Sequence, residues 1–145
     1  MIDRIALGAV MLLAGLGVAR ADALDPIAIR QVGMDLQAGD FAYIKSVVAS
    51  KGEVKPLEVP AKAIARWAAT IPVLFPAGSE KGGDTRALPE IWSDRAGFEK
   101  IASAAGAAAT KLAEAAKAGD ADAVAVQYKA LGEQCGACHK GYRAK

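Results

Sequence analysis

Both cysteines of this chain and its single histidine fall within five consecutive positions, Cys135-Gly136-Ala137-Cys138-His139, close to the end of the sequence. Residues three and four apart share one face of a helix. Two thiols at that spacing can add to the two vinyl groups along one side of a porphyrin, and the histidine that follows can reach the iron from the same face. Cys-x-x-Cys-His is the attachment pattern of c-type haem. Competing chemistries fit the stretch less well. A thioredoxin-like redox pair belongs in the strand-to-helix turn of a βαβ unit, whereas this pair lies within a helical pattern. A zinc site takes four Cys or His ligands, so carboxylates or a second chain would have to complete the three present. A structural disulfide closing so short a loop would restrict the unfolded chain little. The reading is therefore one covalent haem c, attached through Cys135 and Cys138, with His139 as an iron ligand.

The motif has to be delivered by a helix, and the apolar spacing predicts four. The first opens at Pro26, a residue suited to an opening turn. It repeats Ile27, Met34, Phe41 and Val48 at seven-residue intervals, with Ile44 beside them and Gly52 as its stop. The second starts near Pro60, carries Ile64, Trp67, Ile71 and Leu74, and is bent or ended by Pro72. A loop from Pro76 to Leu88 follows, punctuated by glycines. The third opens at Pro89 and runs through Ile91, Phe98, Ile101, Ala105, Ala108, Leu112 and Ala115. Gly119-Asp120 reads as a stop followed by an N-cap. The fourth then presents Val124, Tyr128, Leu131, Cys135, Cys138 and Tyr142 along one seam, placing both cysteines on the buried face. Strand-like alternation is missing. The predicted fold is all-α, an antiparallel up-down four-helix bundle with the haem in its core.

Residues 1–23 read as a secretory signal: Arg4 precedes an apolar run from Ile5 to Val18 and a small-residue site at Ala21-Asp22-Ala23. A retained N-terminal anchor is the alternative. Residues 24–145 then form one domain. Export keeps the thiols available for ligation outside the reducing cytosol, and the expected compartment is the bacterial periplasm. The formal charge of the whole chain is +2. Its basic residues are dispersed among acidic ones, which argues against a nucleic-acid partner. No later segment is long and apolar enough to cross a bilayer.

With the motif on the last helix of such a bundle, the chain resembles the class II c-type cytochromes, meaning cytochrome c′ and its low-spin relatives. The resemblance rests on Arg30-Gln31-Val32-Gly33-Met34, on Thr85-Arg86-Ala87-Leu88-Pro89-Glu90-Ile91-Trp92, and on Cys135 to His139 with Tyr142-Arg143 beyond. It implies that Met34 stands opposite His139. In the low-spin branch a methionine there ligates the iron and the protein carries single electrons. In cytochrome c′ the iron is five-coordinate and binds small gases, and some members carry an unligating methionine at that place. Met1 and Met11 belong to the signal, so Met34 is the sole thioether of the mature chain. Leu74-Phe75-Pro76-Ala77-Gly78-Ser79 with Thr85-Arg86-Ala87 also looks more like the low-spin branch.

The expectation is thus an electron carrier with His139 and Met34 as axial ligands, exchanging electrons with periplasmic redox proteins. Binding of nitric oxide or carbon monoxide is the alternative. Arg143 is a candidate to lie over the proximal haem face or to pair with a propionate, and Arg30 and Arg86 are candidates for propionate contacts. No nucleophile or acid-base pair outside the motif suggests an enzyme, and a homodimer is left open.

Overall fold

Residues 25–145 are described in the computed structural model, and the expected signal, 1–23, lies outside the described residues. Helix α1 (Pro26–Ser50) begins at Asp25, whose carboxylate accepts from the Ile27 N–H at 2.9 Å. An N-cap of this kind satisfies a donor that the helix cannot. The helix stops before Gly52, at Lys51. That residue takes a φ of 53°, unique among the described non-glycine residues, and the Gly52 N–H returns to the Val47 carbonyl.

A 3-10 turn (Lys55–Leu57) leads into α2 (Glu58–Thr70), which therefore starts two residues before Pro60. Pro72 does end it, in a second 3-10 turn at Ile71–Leu74. The predicted third helix is split into α3 (Glu90–Ser93) and α4 (Arg95–Ala118). Asp94 breaks the run at φ −117° and ψ 55°, and its side chain caps α4 by accepting from Gly97 N at 3.2 Å. Gly119 closes α4 in the left-handed conformation, and Asp120 caps α5 (Ala121–Tyr142) through Ala123 N.

The four long helices form the expected bundle. Helix α2 packs along α4, α4 along α5, and α1 against α2, with a lighter contact to α5. Small residues permit the close approach of α2 and α4: a β-carbon on Gly106 would lie 3.5 Å from that of Ala68. No helix among the described residues is long and apolar enough to cross a membrane.

The buried apolar side chains fall into two clusters. The larger gathers Ile44, Val54, Leu57, Ile64, Leu112, Val124 and Leu131 toward the end with the α1–α2 and α4–α5 connections. Full burial of a Leu or Ile stabilises the fold by about 1.5–3 kcal/mol, and Ile44, Leu57, Leu112 and Leu131 are all fully buried. The smaller cluster, at the other end, is Phe75, Ile91, Phe98 and Tyr142. Its aromatic rings meet edge to face, with centroids 5.1 Å apart for Phe75–Phe98 and 5.2 Å for Phe98–Tyr142.

Candidate haem site

The division of the core locates the site. On α5, half-buried Cys135 packs against the larger cluster and half-buried Cys138 against the smaller. Both thiols are free, and the boundary between the clusters passes between them. On α1 the same boundary falls between Arg30, which lies over the Phe75 ring at 4.5 Å, and Phe41, which packs on the larger cluster. Met34 and Gln37 occupy that interval. They sit one and two turns along from Arg30, on the inward stripe.

The interval on α1 that faces the core boundary is flanked on both sides by contacts to other elements. On the side of the larger cluster, Phe41 stacks on Tyr128 at 4.8 Å between centroids, and a β-carbon on Gly132 would come 3.2 Å from the Phe41 ring. On the other side the 79–87 segment runs from Arg30 to the end of α5. Arg30 donates from one terminal nitrogen to Ser79 Oγ (3.0 Å) and Leu74 O (3.4 Å), and from the other to Ser79 O (2.9 Å) and Thr85 Oγ1 (2.6 Å). The loop then pairs with the end of α5 through an Ala87–Arg143 bridge, Leu88 N to Tyr142 O at 3.1 Å and Ala144 N to Arg86 O at 2.8 Å. From Arg30 to Phe41 the frame takes in about 16 Å of α1, at about 1.5 Å per residue.

Burial keeps the two thiols protonated and the imidazole neutral. Burial pushes the Cys135 thiol up, and burial with the neighbouring Cys135 sulfur pushes Cys138 up to about 11, against a smaller opposing pull from Arg143. Burial first, then the charges of Arg143 and Arg86, lowers the pKa of His139. Neutral imidazole is the form that ligates metal. Among the described residues, no three His, Cys, Asp or Glu side chains converge as a metal cluster would require. Two shielded polar atoms at the level of the core boundary, Gln37 Oε1 and Trp67 Nε1, meet no hydrogen-bond partner among the described residues. Paired thiols, a neutral imidazole beside them and a core parted at their level fit a haem.

Arg30 departs from its expected role. It is only 4% exposed, and its four terminal N–H groups face the 74–85 segment, so only Nε–H is left for a propionate. Burial lowers its pKa, with Asp25 and Glu80 opposing. Arg143 is exposed at the end of α5 and acts electrostatically on Cys138 and His139, as does Arg86 on His139. Sequence reasoning missed Arg95, which donates to Phe75 O (3.1 Å) and Pro72 O (2.6 Å) and so fixes the 3-10 turn below the smaller cluster. It also missed Gln37 and the bond from Tyr142 OH to Asp94 Oδ2 at 2.7 Å. A glutamine on an otherwise apolar heptad stripe was the available signal for the first.

Residues 25–143 match the family model described as cytochrome C′. Cytochrome c′ of Rhodospirillum rubrum is 35% identical over 130 residues, covering 86% of this chain and 87% of that protein. The chain belongs to the cytochrome c′ family. Among solved cytochromes c′, one with an unusual ligand-controlled dimer dissociation is 33% identical, with a TM-score of 0.77 and coverage of 83% of this chain and 95% of that one. The nitric oxide complex of a leucine-to-alanine mutant of cytochrome c prime from Alcaligenes xylosoxidans is 32% identical, with a TM-score of 0.75 and coverage of 83% and 94%. One covalent haem c is the cofactor of cytochrome c′, and the disposition of Cys135, Cys138 and His139 agrees with it. These matches give no support to the low-spin branch that the sequence favoured, and they turn the functional question toward the five-coordinate alternative.

Proposed function

We propose that this chain is a periplasmic haem protein that binds a diatomic gas, nitric oxide or carbon monoxide, at a five-coordinate iron. The observation that carries the reading is the cytochrome c′ match across residues 25–143, joined by a neighbour solved with nitric oxide. A bound haem would supply the iron that takes up the gas. The chain's residues would do the rest: Cys135 and Cys138 would tether the ring, His139 would ligate from α5, and Arg86 and Arg143 would offer positive charge to propionates. Met34, half-buried on α1, would pack against the gas side.

One observation favours the second reading, single-electron transfer to periplasmic redox proteins with Met34 as sixth ligand: it is the only thioether of residues 24–145, and it stands within the frame. The optical spectrum of the ferric protein separates the two. The gas-binding reading expects a high-spin spectrum, rapid carbon monoxide uptake by the ferrous form, and little change on Met34→Leu, which keeps most of the packing volume. A low-spin spectrum that turns high-spin in Met34→Leu would instead establish methionine ligation, because axial ligand identity governs spin state and potential.

A homodimer through the outer face of α1 belongs to the same reading. Val32 and Leu36 are 60% and 66% exposed and border an apolar groove of about 360 Å³ lined also by Ala28, Ile29, Gly33 and Trp67. Exposed apolar patches mark interaction sites, and a neighbour in the family shows ligand-controlled dimer dissociation. Leu36→Lys is expected to convert the dimer to monomer in sedimentation. A wild-type monomer at high concentration would remove the dimer from the reading.

A further inference from the structure

The phenol of Tyr142 is buried one turn beyond the attachment motif, and tethering, ligation and gas binding make no use of it. It is 7% exposed, meets Phe98 edge to face and belongs to the smaller cluster, against which Cys138 packs. Cys138 stands four residues earlier on α5, so the two side chains share one face of the helix, about 6 Å apart along its axis. From this apolar setting the hydroxyl donates to Asp94 Oδ2 at 2.7 Å, and Asp94 is itself exposed. A phenol releases an electron readily only if its proton leaves with it, because the radical that keeps the proton is a strong acid. A base within hydrogen-bond reach meets that requirement. The other oxidisable rings lack one. Among the described residues, Tyr142 alone of the three tyrosines gives its hydroxyl to a carboxylate. Trp92 donates its indole N–H to the Pro76 carbonyl, an atom that does not hold a proton at neutral pH.

We propose that Tyr142 donates an electron to the haem when hydrogen peroxide oxidises it, with Asp94 as the proton acceptor. The inference rests on the gas-binding reading, since peroxide needs the same open side of the iron. Peroxide reacting with ferric haem breaks its O–O bond, and one oxygen leaves as water with both protons. The haem group keeps the other oxygen and is two electrons short. Tyr142 returns one of them: its O–H bond breaks, the electron passes to the haem at the Cys138 turn, and the proton moves to Asp94 Oδ2. A neutral phenoxyl radical and a neutral carboxylic acid result. A one-electron reductant such as ascorbate restores the phenol, with Asp94 handing the proton back. A second ascorbate supplies the remaining electron, and two protons from solvent release the second oxygen as water. The activity so assigned is disposal of peroxide without damage to the porphyrin.

The test uses the full haem-loaded chain in its ferric form, mixed with hydrogen peroxide, rapidly frozen and examined by electron paramagnetic resonance. Wild type is expected to give a tyrosyl radical signal that narrows when the tyrosine rings are deuterated. Tyr142→Phe, which keeps the ring and its packing, should lose the signal. Asp94→Asn keeps an equally good N-cap and removes the base, so it should weaken the signal. Haem absorbance should bleach faster under peroxide in both variants. Should one variant fail to fold, the other decides. An undiminished signal in either variant, or no tyrosyl signal from a high-spin wild type, would overturn the inference while leaving gas binding intact. A low-spin wild type in which Met34 holds the iron would overturn both.

Discussion

Gly33 lies in α1 where a β-carbon would run into the Trp67 ring, whereas Gly39, six residues on, has nothing within 4 Å. Glycine inside a helix costs about 1 kcal/mol relative to alanine, so the same substitution should have opposite signs at the two sites. Gly39→Ala is expected to stabilise by up to about 1 kcal/mol. Gly33→Ala gains the same propensity but loses about 1–3 kcal/mol to overpacking, for a net destabilisation of about 1 kcal/mol. Urea midpoints at constant m-value measure both, and a stabilised Gly33→Ala would show that the indole yields freely. Such a difference was not legible in the chain, because it depends on a ring arriving from another helix. Cys135, Cys138 and His139 were legible because their chemistry is written in local spacing. Arg30 was visible as a charge on an apolar stripe, yet its partners at Ser79 and Thr85 lie about 50 positions away.

At the scale of elements, Asp94 does two things at once. It caps α4 through Gly97 and receives the phenolic hydrogen of Tyr142 at the last turn of α5. The bond to Asp94 pushes the Tyr142 pKa up to about 12, from an ordinary value of about 10. A group whose proton is held more tightly in the folded state lends stability that is fully present below its unfolded pKa and lost as pH rises through the folded one. Wild-type stability should therefore fall relative to Tyr142→Phe between about pH 10 and 12, and parallel unfolding curves for the two proteins over that window would contradict the assignment. The helices on either side of this contact were readable from apolar spacing, and so were the caps at Asp120 and Gly119. The break at Asp94 was not, since Ile91 and Phe98 keep one seven-residue repeat across it. The Asp94-x-x-Gly97 cap was the local sign that a new helix begins.

Across the whole molecule, the up-down bundle followed from four periodic segments and their connections. The parting of its core did not, because the seam of α5 from Val124 to Tyr142 reads as continuous. The parting depends on what α1 and α2 contribute at the same height: half-buried Met34, Gln37 and Trp67 where a closed core would carry interlocking aliphatic side chains. A chain prevented from attaching haem, as in Cys135→Ala with Cys138→Ala, loses the apolar partner that joins the two clusters, and cavities of that kind weaken packing around them. Hydrogen exchange should then show amides of 108–131 well protected and those of 30–37 and 135–142 opening readily, since protection follows local burial. Uniform protection along α5 would rule out this division.

The strap formed by residues 79–87 also has a bearing on how the protein is made. It fastens the last turn of α5 through Ala87, Leu88 and Arg86, just beyond the cysteines, and its other end is secured by Arg30 near the start of α1. Neither fastening contributes to the larger cluster, whose segments can assemble first. The architecture thereby permits an order of manufacture: a half-built bundle can offer both thiols to the cell's haem-attachment machinery with the final helical turn still loose, and the strap closes over the finished product.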